Sequence, residues 1–492
     1  MFELLSSLPD SSLLSRIQFA FTVSYHIMFP TITIGLSLYI AIMEGLWLKT
    51  KNPVYLQQVK FWMKPFAVTF GMGVVSGVVL SYEFGTNFSE FSTIVGPVLA
   101  PLLAYEVLTA FFLEAGFLGI MLFGWNRVSP KVHFIATCTV AIGTVFSSFW
   151  ILAANSWMHT PAGYEIVDGV FHPTSWLEVI FNPSFPYRLS HMLLATCLSA
   201  SLLIAGIHAY YLLRKQHTEF AKVGFSFTMK AILILAPLQI VVGDFHGLNV
   251  AEHQPVKLAA MEGIWETEKG ADLRLFAIPD QQQETNHYEV TIPKAASLII
   301  KHDLDGEIAG LDQVAKEDRP PVPVVFFSFR IMLGLGGLML LLGLAGWIAR
   351  RRGRMFESKP LLTFSVLMIP AGVIATLAGW YVVEVGRQPW LVQGLVRTTD
   401  VVSPLPAQSV AFSLALFVTV YSILFITYVY FMRKLVRKGP ATIESLLNDQ
   451  STHGQDEDLP ATLNPAQVDV GYTQEMSDYI DAHNTDTRKG DH

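Results

Sequence analysis

The stretch Gly379–Trp390, which reads GWYVVEVGRQPW, closes a long apolar run that begins near Leu361. Glu384 lies one helical turn after Trp380 and one turn before Arg387, so the three side chains share a helix face. A carboxylate and a guanidinium this deep in apolar sequence are costly to bury, even as a pair. Two interpretations remain open: an interfacial salt bridge at a helix end, or a carboxylate that binds a ligand inside the membrane.

The composition is that of a membrane protein. Of the 492 residues, 52% are hydrophobic and only 15% are charged, and few soluble chains of this length combine those values. The net charge of −7 lies in the loops and an acidic tail, so no nucleic-acid partner is expected. Cys138 and Cys197 both fall in apolar runs, where a thiol behaves as a small hydrophobe, and this disfavours a disulfide framework.

Nine apolar runs are long enough to cross about 30 Å of hydrocarbon as helices. The first is too long for a signal-peptide core and has no small-residue cleavage site after it, so we expect it to be retained. We therefore predict an all-α integral membrane protein with nine transmembrane helices. The runs cover residues 17–48, 64–83, 97–125, 132–157, 188–213, 223–243, 323–349, 361–386 and 408–432.

The distribution of basic residues predicts the orientation. Lysine and arginine crowd every second loop, whereas the alternate set holds only Arg16, Arg188, Arg387 and Arg397. The N-terminus is therefore expected in the periplasm and the C-terminus in the cytoplasm. The predicted parts are helices 1 to 6 in residues 1–243, a periplasmic loop in 244–322, helices 7 to 9 in 323–433, and a tail of disordered composition in 434–492.

Four potential metal ligands converge at one depth in this topology. His26, His191, Met332 and Glu384 all lie within about three turns of the outer surface. Each alone has an ordinary explanation, since a lone membrane histidine is usually hydrogen-bonded structure and a methionine is usually core. Together they favour haem: His with Met gives a six-coordinate, electron-transferring iron, whereas a single His or carboxylate leaves one position open to oxygen.

Three further charged residues lie within apolar sequence. On an ideal α-helix the spacing of Glu106 and Glu114 places them about 80° apart around the axis and about 12 Å apart along it. They are either steps of a proton path or carboxyls hydrogen-bonded to neighbouring helices. Arg330, two residues before Met332, suits either a haem propionate or a snorkelling position at the interface.

Seven segments taken in order resemble subunit I of the cytochrome bd-type quinol oxidases, over about Arg16 to Arg433. They are IQFAFTVSYHIMFPTITIG, EFGTNFS, the helix of Glu106 and Glu114, ILAANSWM, KLAAMEGIWETE with IPDQQQETN, FFSFRIM, and GWYVVEVGRQPW.

This resemblance implies a ligand set. His191 and Met332 correspond to the axial ligands of the low-spin haem b, His26 to the haem d ligand, and Glu384 to the ligand of the high-spin haem b. The two high-spin haems exchange places within the family. The segment 244–323 lacks the long insertion of one branch and resembles the short-loop branch, in which haem b can replace haem d.

Other residues correspond to further functional positions of that family. They are the proton-path carboxylates Glu106 and Glu114, the haem-environment residues Trp380 and Arg387 together with Arg330, and the quinol-binding pair Lys257 and Glu262.

The resemblance thus implies a haem-containing subunit of a terminal respiratory oxidase in the bacterial inner membrane. Such an enzyme oxidises membrane quinol at the periplasmic side, reduces oxygen to water with cytoplasmic protons, and generates proton motive force without pumping. The implied cofactors are two haem b and one haem d. The implied partners are an oxidase subunit II in a heterodimer, a small single-helix subunit, and the quinone pool.

Two alternatives were weighed against this function. A membrane transporter with an intramembrane carboxylate site would also carry buried glutamates, but no internal repeat is evident. A haem–copper oxidase needs several histidines for its copper in addition to those for two haems. The apolar runs supply too few for that centre: His26, His133, His191 and His208.

Overall fold

The computed structural model describes residues 9–446. Within this range it contains nine helices long and apolar enough to cross a membrane, which confirms the predicted number. They cover Ser11–Thr50, Pro53–Thr86, Ser89–Phe123, Pro130–His159, Phe185–Leu213, Thr218–His253, Val322–Arg351, Lys359–Val385 and Ala407–Lys438. Much of the predicted tail, 447–492, lies outside the described residues.

The third membrane helix changes its winding midway. It runs as an α-helix over Ser89–Glu106, as a π-helix over Val107–Phe111, and again as an α-helix over Phe112–Phe123. A π turn takes more residues than an α turn and so rotates less per residue. The angle predicted between Glu106 and Glu114 on an ideal helix is therefore too large, because the intervening turn is wider.

The eighth membrane helix consists of two parts. Lys359–Leu367 and Ala371–Val385 are separated by a turn that contains Pro370, a residue that has no backbone N–H to continue the helical ladder. The second part carries Glu384 and packs against the first, fifth and seventh membrane helices. This break places the Glu384 face in the middle of the bundle.

The connection between the sixth and seventh helices is folded. The sixth helix continues to His253, well into the segment predicted as loop. We call residues 254–321 the crown. Its elements are the helix Pro255–Glu262, the antiparallel strands Leu273–Asp280 and Thr285–Ile292, and the helix Ala295–Lys301.

Because six membrane helices precede it, the crown lies at the end where the first helix begins; we call this the crown end. Two short antiparallel hairpins lie in other connections at that end, Tyr164–Val167 with Val170–Pro173 and Trp390–Val392 with Val396–Arg397. The largest hydrophobic core lies toward the opposite end, around Trp62, Phe66 and Tyr211. The crown end is accordingly the polar half of the bundle.

Candidate functional site

Glu384 is held by contacts from two helices. Its Oε2 forms an ion pair with Nη2 of Arg387, three residues later and just past the end of this helix. Its Oε1 accepts a hydrogen bond of 2.8 Å from Nδ2 of Asn155 and lies 3.5 Å from Nε2 of His159. Trp380 packs against the fourth and fifth helices beside this group. The structure thus pairs Arg387 with Glu384 directly.

Positive charge predominates around that carboxylate. Arg188, Arg387 and Lys257 are each at most 4% exposed, and all three interact electrostatically as one group with Glu384. The Nε atoms of Arg188 and Arg387 have no hydrogen-bond partner. Buried cations normally require paired anions, so this cluster has capacity for additional carboxylates.

Lys257 joins the crown to the Glu384 cluster. Its Nζ lies 3.0 Å from Nδ1 of His159 and donates a 2.9 Å hydrogen bond to Oε1 of Gln254. Burial, reinforced by the neighbouring positive charges of Arg188 and Arg387, lowers the pKa of the Lys257 ammonium well below its ordinary value. Lys257 is thus a buried donor in an electropositive site that connects through His159 to Glu384.

Glu262, the other predicted quinol-binding residue, has different partners. It accepts a 2.7 Å hydrogen bond from Nη2 of Arg330, whose Nε donates at 2.6 Å to the backbone carbonyl of Arg274. The guanidinium also lies over the ring of Phe326, 4.6 Å from its centroid. Nη1 of Arg330 is buried without a partner, so one face of this pair remains available to an anion.

His191 and Met332 each lie against a glycine of a neighbouring helix. A Cβ built on Gly243 would come within 3.2 Å of Cε1 of His191, and one built on Gly379 within 3.1 Å of Sδ of Met332. The amide nitrogen of Gln239 lies 3.1 Å from Nε2 of His191. Each side chain therefore packs so closely on its glycine that a larger residue there would press on it.

His26 has a defined hydrogen-bonding arrangement. The Ser76 hydroxyl donates to the backbone of its own helix, to Met72 at 2.8 Å, and can therefore accept from Nδ1 of His26 at 3.0 Å. A proton on Nδ1 leaves the lone pair of Nε2 available to a metal, as is usual for ligating histidines. Gly77 lies against the same ring, 3.0 Å from Cε1 to a built Cβ.

The carboxylates of the third helix both face the fourth helix. Glu106 accepts a 2.7 Å hydrogen bond from Oγ of Ser147. Glu114 packs on Gly143, one turn away from Ser147, and its Oε1 is buried without a partner. The two carboxylates also interact electrostatically with each other, so they form one pair along the bundle axis.

These features fit haem. His26, His191 and Met332 offer nitrogen and sulfur donors, each packed closely against a glycine, and Glu384 offers oxygen. The unpartnered guanidinium nitrogens of Arg188, Arg330 and Arg387 suit propionate carboxylates, which guanidinium binds well.

Sequence reasoning missed several residues of this site. His159 and His246 fall beyond the predicted ends of the fourth and sixth runs, yet both lie on those helices. The count of membrane histidines was therefore incomplete. Among residues 9–446, however, no three His, Cys, Asp or Glu side chains are grouped so as to hold a metal ion.

A second group of missed residues orients the predicted ligands. Asn155 lies in the segment ILAANSWM, and Ser76 and Gln239 are single polar residues in apolar runs. Nothing in the sequence distinguishes such residues from ordinary helix–helix contacts. Only the contact of each with Glu384, His26 or His191 reveals its position.

A nine-helix membrane bundle with His, Met and carboxylate donors beside buried cations defines a haem-binding membrane oxidoreductase. Residues 14–440 match the family model for cytochrome bd terminal oxidase subunit I, and the chain belongs to that family. It is a multi-pass protein of the bacterial inner membrane. Because the chain belongs to this family, the alternative function of a membrane transporter is rejected.

Similar proteins align with this chain over nearly their whole lengths. Cytochrome bd ubiquinol oxidase subunit 1 of Bacillus subtilis (strain 168) is 35% identical over 469 residues, covering 93% of this chain and 98% of that protein. Cytochrome bd-II ubiquinol oxidase subunit 1 of Escherichia coli (strain K12) is 33% identical over 502 residues, covering 88% and 97%. The bd oxidase structure from Geobacillus thermodenitrificans has a TM-score of 0.82 at 30% identity, covering 88% of this chain and 99% of that one.

Proposed function

We propose that this chain is the haem-carrying subunit of a quinol:oxygen oxidoreductase in which quinol is oxidised at the crown end. The observation that carries this proposal is the chain of contacts Lys257–His159–Glu384. Nε2 of His159 lies 3.5 Å from Oε1 of Glu384 without a hydrogen bond among the described residues, so the histidine lies between the buried Lys257 of the crown and a ligand candidate in the bundle. A quinol hydroxyl bound at Lys257 would therefore lie at the edge of the haem cluster.

The ligand assignment follows the resemblance. His191 and Met332 would hold the low-spin haem b, His26 the haem d, and Glu384 the high-spin haem b, with the opposite placement of the two high-spin haems as the variant arrangement. When bound, the haems supply one-electron carriers and the iron at which oxygen is reduced. Haem b in place of haem d is the alternative cofactor complement.

The protein side chains would handle the protons and the substrate. Lys257 and Glu262 bind quinol at two separate points, and Arg330 and Arg387 hold propionates. Glu114 and Glu106 pass protons from the opposite end of the bundle toward Glu384, with the serine contact at Glu106 fixing its carboxyl.

With the crown in the periplasm and the opposite end in the cytoplasm, this arrangement separates charge across the membrane without a pump. The partners would be subunit II in a heterodimer and a small single-helix subunit. The substrates would be membrane quinol and oxygen.

A reduced-minus-oxidised optical spectrum of the purified complex tests the proposal. We expect haem b bands together with a high-spin component, and oxygen consumption on addition of quinol. His191→Ala should remove the low-spin component, because its iron loses a strong axial ligand, while the high-spin bands persist. Gln216→Ala, in the connection between the fifth and sixth helices, serves as the control. A complex without haem bands, or a variant that retains the low-spin band, would contradict the assignment.

A further inference from the structure

Glu44 and His133 form a buried pair in the half of the bundle away from the crown. Nδ1 of His133 lies 2.6 Å from Oε1 of Glu44, and the side chains are at most 1% exposed. The Thr137 hydroxyl donates to the other carboxyl oxygen at 2.7 Å. The pair joins the first and fourth membrane helices and belongs to none of the sites described above.

The hydrogen bonds of this pair define its proton content. Nε2 of His133 lies 3.0 Å from the backbone oxygen of Met121, which can only accept, so Nε2 carries a hydrogen. A contact of 2.6 Å between Nδ1 and a carboxyl oxygen requires a further proton between them. Whether that proton resides on imidazole or carboxyl, the pair holds one transferable proton.

The pair is in register with Glu114. Seven residues separate Ser37 from Glu44, Thr137 from Thr144, and Glu114 from Met121, so three helices each contribute to two levels about 10 Å apart. At the second level Ser37 and Thr144 are hydrogen-bonded at 3.1 Å.

Glu114 completes that second level. It packs on Gly143, the residue next to Thr144, with one carboxyl oxygen lacking a partner. The Glu114 carboxyl, which has one oxygen without a partner, therefore lies two turns closer to the crown than the Glu44–His133 pair, which holds a transferable proton.

A single aromatic residue covers the pair on its other side. The ring of Trp125, in the connection between the third and fourth helices, lies 3.8 Å from that of His133 between centroids. The Lys60 ammonium lies over the indole at 3.7 Å. Cys138 also interacts electrostatically with Glu44. The indole of Trp125 thus lies between the pair and the end of the bundle.

We propose that Glu44 and His133 are the proton-loading pair that supplies Glu114 during oxygen reduction. The shared proton leaves along transient water between the two levels and protonates the Glu114 carboxylate. A proton from the aqueous phase behind Trp125 then restores the pair. Buried Ile40 and Val140 lie between the levels, so the water path is intermittent and limits back-flow. This inference rests on the proposed function.

The test variant is Glu44→Gln in the assembled complex. The introduced amide can donate to Nδ1 of His133 and accept from Thr137, so the helix contacts survive while the transferable proton is lost. Oxygen reduction should fall about a hundredfold or more, because a positioned proton-transfer group typically contributes about 10²–10⁴-fold. Turnover should also decline more steeply as pH rises, since protons must then come directly from water. Quinol should still reduce the low-spin haem.

The matched control is His208→Gln. His208 is also fully buried in the half away from the crown, with both ring nitrogens hydrogen-bonded, to Ile204 at 2.7 Å and Gln58 at 3.1 Å, but it lies outside the two levels. Loss of turnover in both variants, in step with loss of haem or melting temperature, would show that the pair is only structural.

Wild-type turnover with an unchanged pH profile in Glu44→Gln would overturn the inference. Glu44→Asp retains an acid and should restore part of the oxygen-reduction rate if the pair carries protons. A rate in Glu44→Asp no higher than that in Glu44→Gln would count against the inference. Absence of quinol oxidation by the wild-type complex would instead refute the proposed function.

Discussion

At the scale of single residues, three of the four predicted ligands share one feature, a glycine on the adjacent helix. Gly77, Gly243 and Gly379 face His26, His191 and Met332 respectively, each with a built Cβ at 3.0–3.2 Å from the ring or sulfur. Candidate ligands could be proposed from residue type and depth, whereas their assignment to haems came from the family resemblance. The opposing glycines could not, because many glycines in membrane helices serve only helix contact.

Gly77→Ala should weaken haem binding at His26. The new methyl group would press on Cε1 of the imidazole, and overpacking of this kind costs about 1–3 kcal/mol. We expect reduced content of one high-spin haem and a shifted band in the reduced-minus-oxidised spectrum, with the low-spin component intact. Gly71→Ala on the same helix is the control, because no atom lies within 4 Å of its built Cβ. Identical spectra for the two variants would contradict a ligand role for His26.

At the scale of elements, the length of the apolar runs predicted the number of membrane helices. It could not predict the π turn at Val107–Phe111, because the sequence EVLTAFFLE is apolar on every face. The fourth and sixth helices extend beyond their predicted ends, and this hid His159 and His246. The crown fold depends on tertiary contacts such as the hydrogen bond of Asn286 to Gly263, which local sequence does not reveal.

Because a π turn contains more residues than an α turn, the protein should tolerate the deletion of one residue from it. Removing Leu108, an exposed residue of that turn, should convert it to a regular α turn. Glu106 and Glu114 would then be seven residues apart and about 20° from a common face. We expect haem content and most of the oxygen-reduction rate to survive. Deleting Val107 and Leu108 together would rotate Glu106 relative to Glu114 by about a further 100°. Turnover, measured as quinol-driven oxygen consumption, should then fall at least about tenfold. Equal loss in both deletions would disprove this geometry.

At the scale of the whole molecule, the two ends of the bundle have different chemistry. The crown end collects buried cations and ligand donors, whereas the opposite end offers the Glu44–His133 pair and the route to Glu114. Quinol oxidation and proton uptake are therefore expected on opposite sides.

This separation predicts the stoichiometry of proton release. Complexes reconstituted in vesicles should release one proton per electron on the crown side, since each quinol gives up two of each. A membrane potential should develop and collapse with an uncoupler. Proton release above this ratio, measured with a pH-sensitive dye after an oxygen pulse, would indicate a pump. Net proton release near zero without any potential would place both half-reactions on the same side.

The cluster of Arg188, Arg387 and Lys257 around one carboxylate has a consequence for biogenesis. Like charges buried together without enough counter-ions are strongly destabilising, and prosthetic groups that supply the missing anions stabilise the fold by mass action. A chain that has not acquired its haems would be held open at the crown end, where membrane proteases and quality-control factors have access. Cofactor supply would then determine how much of this protein a cell retains.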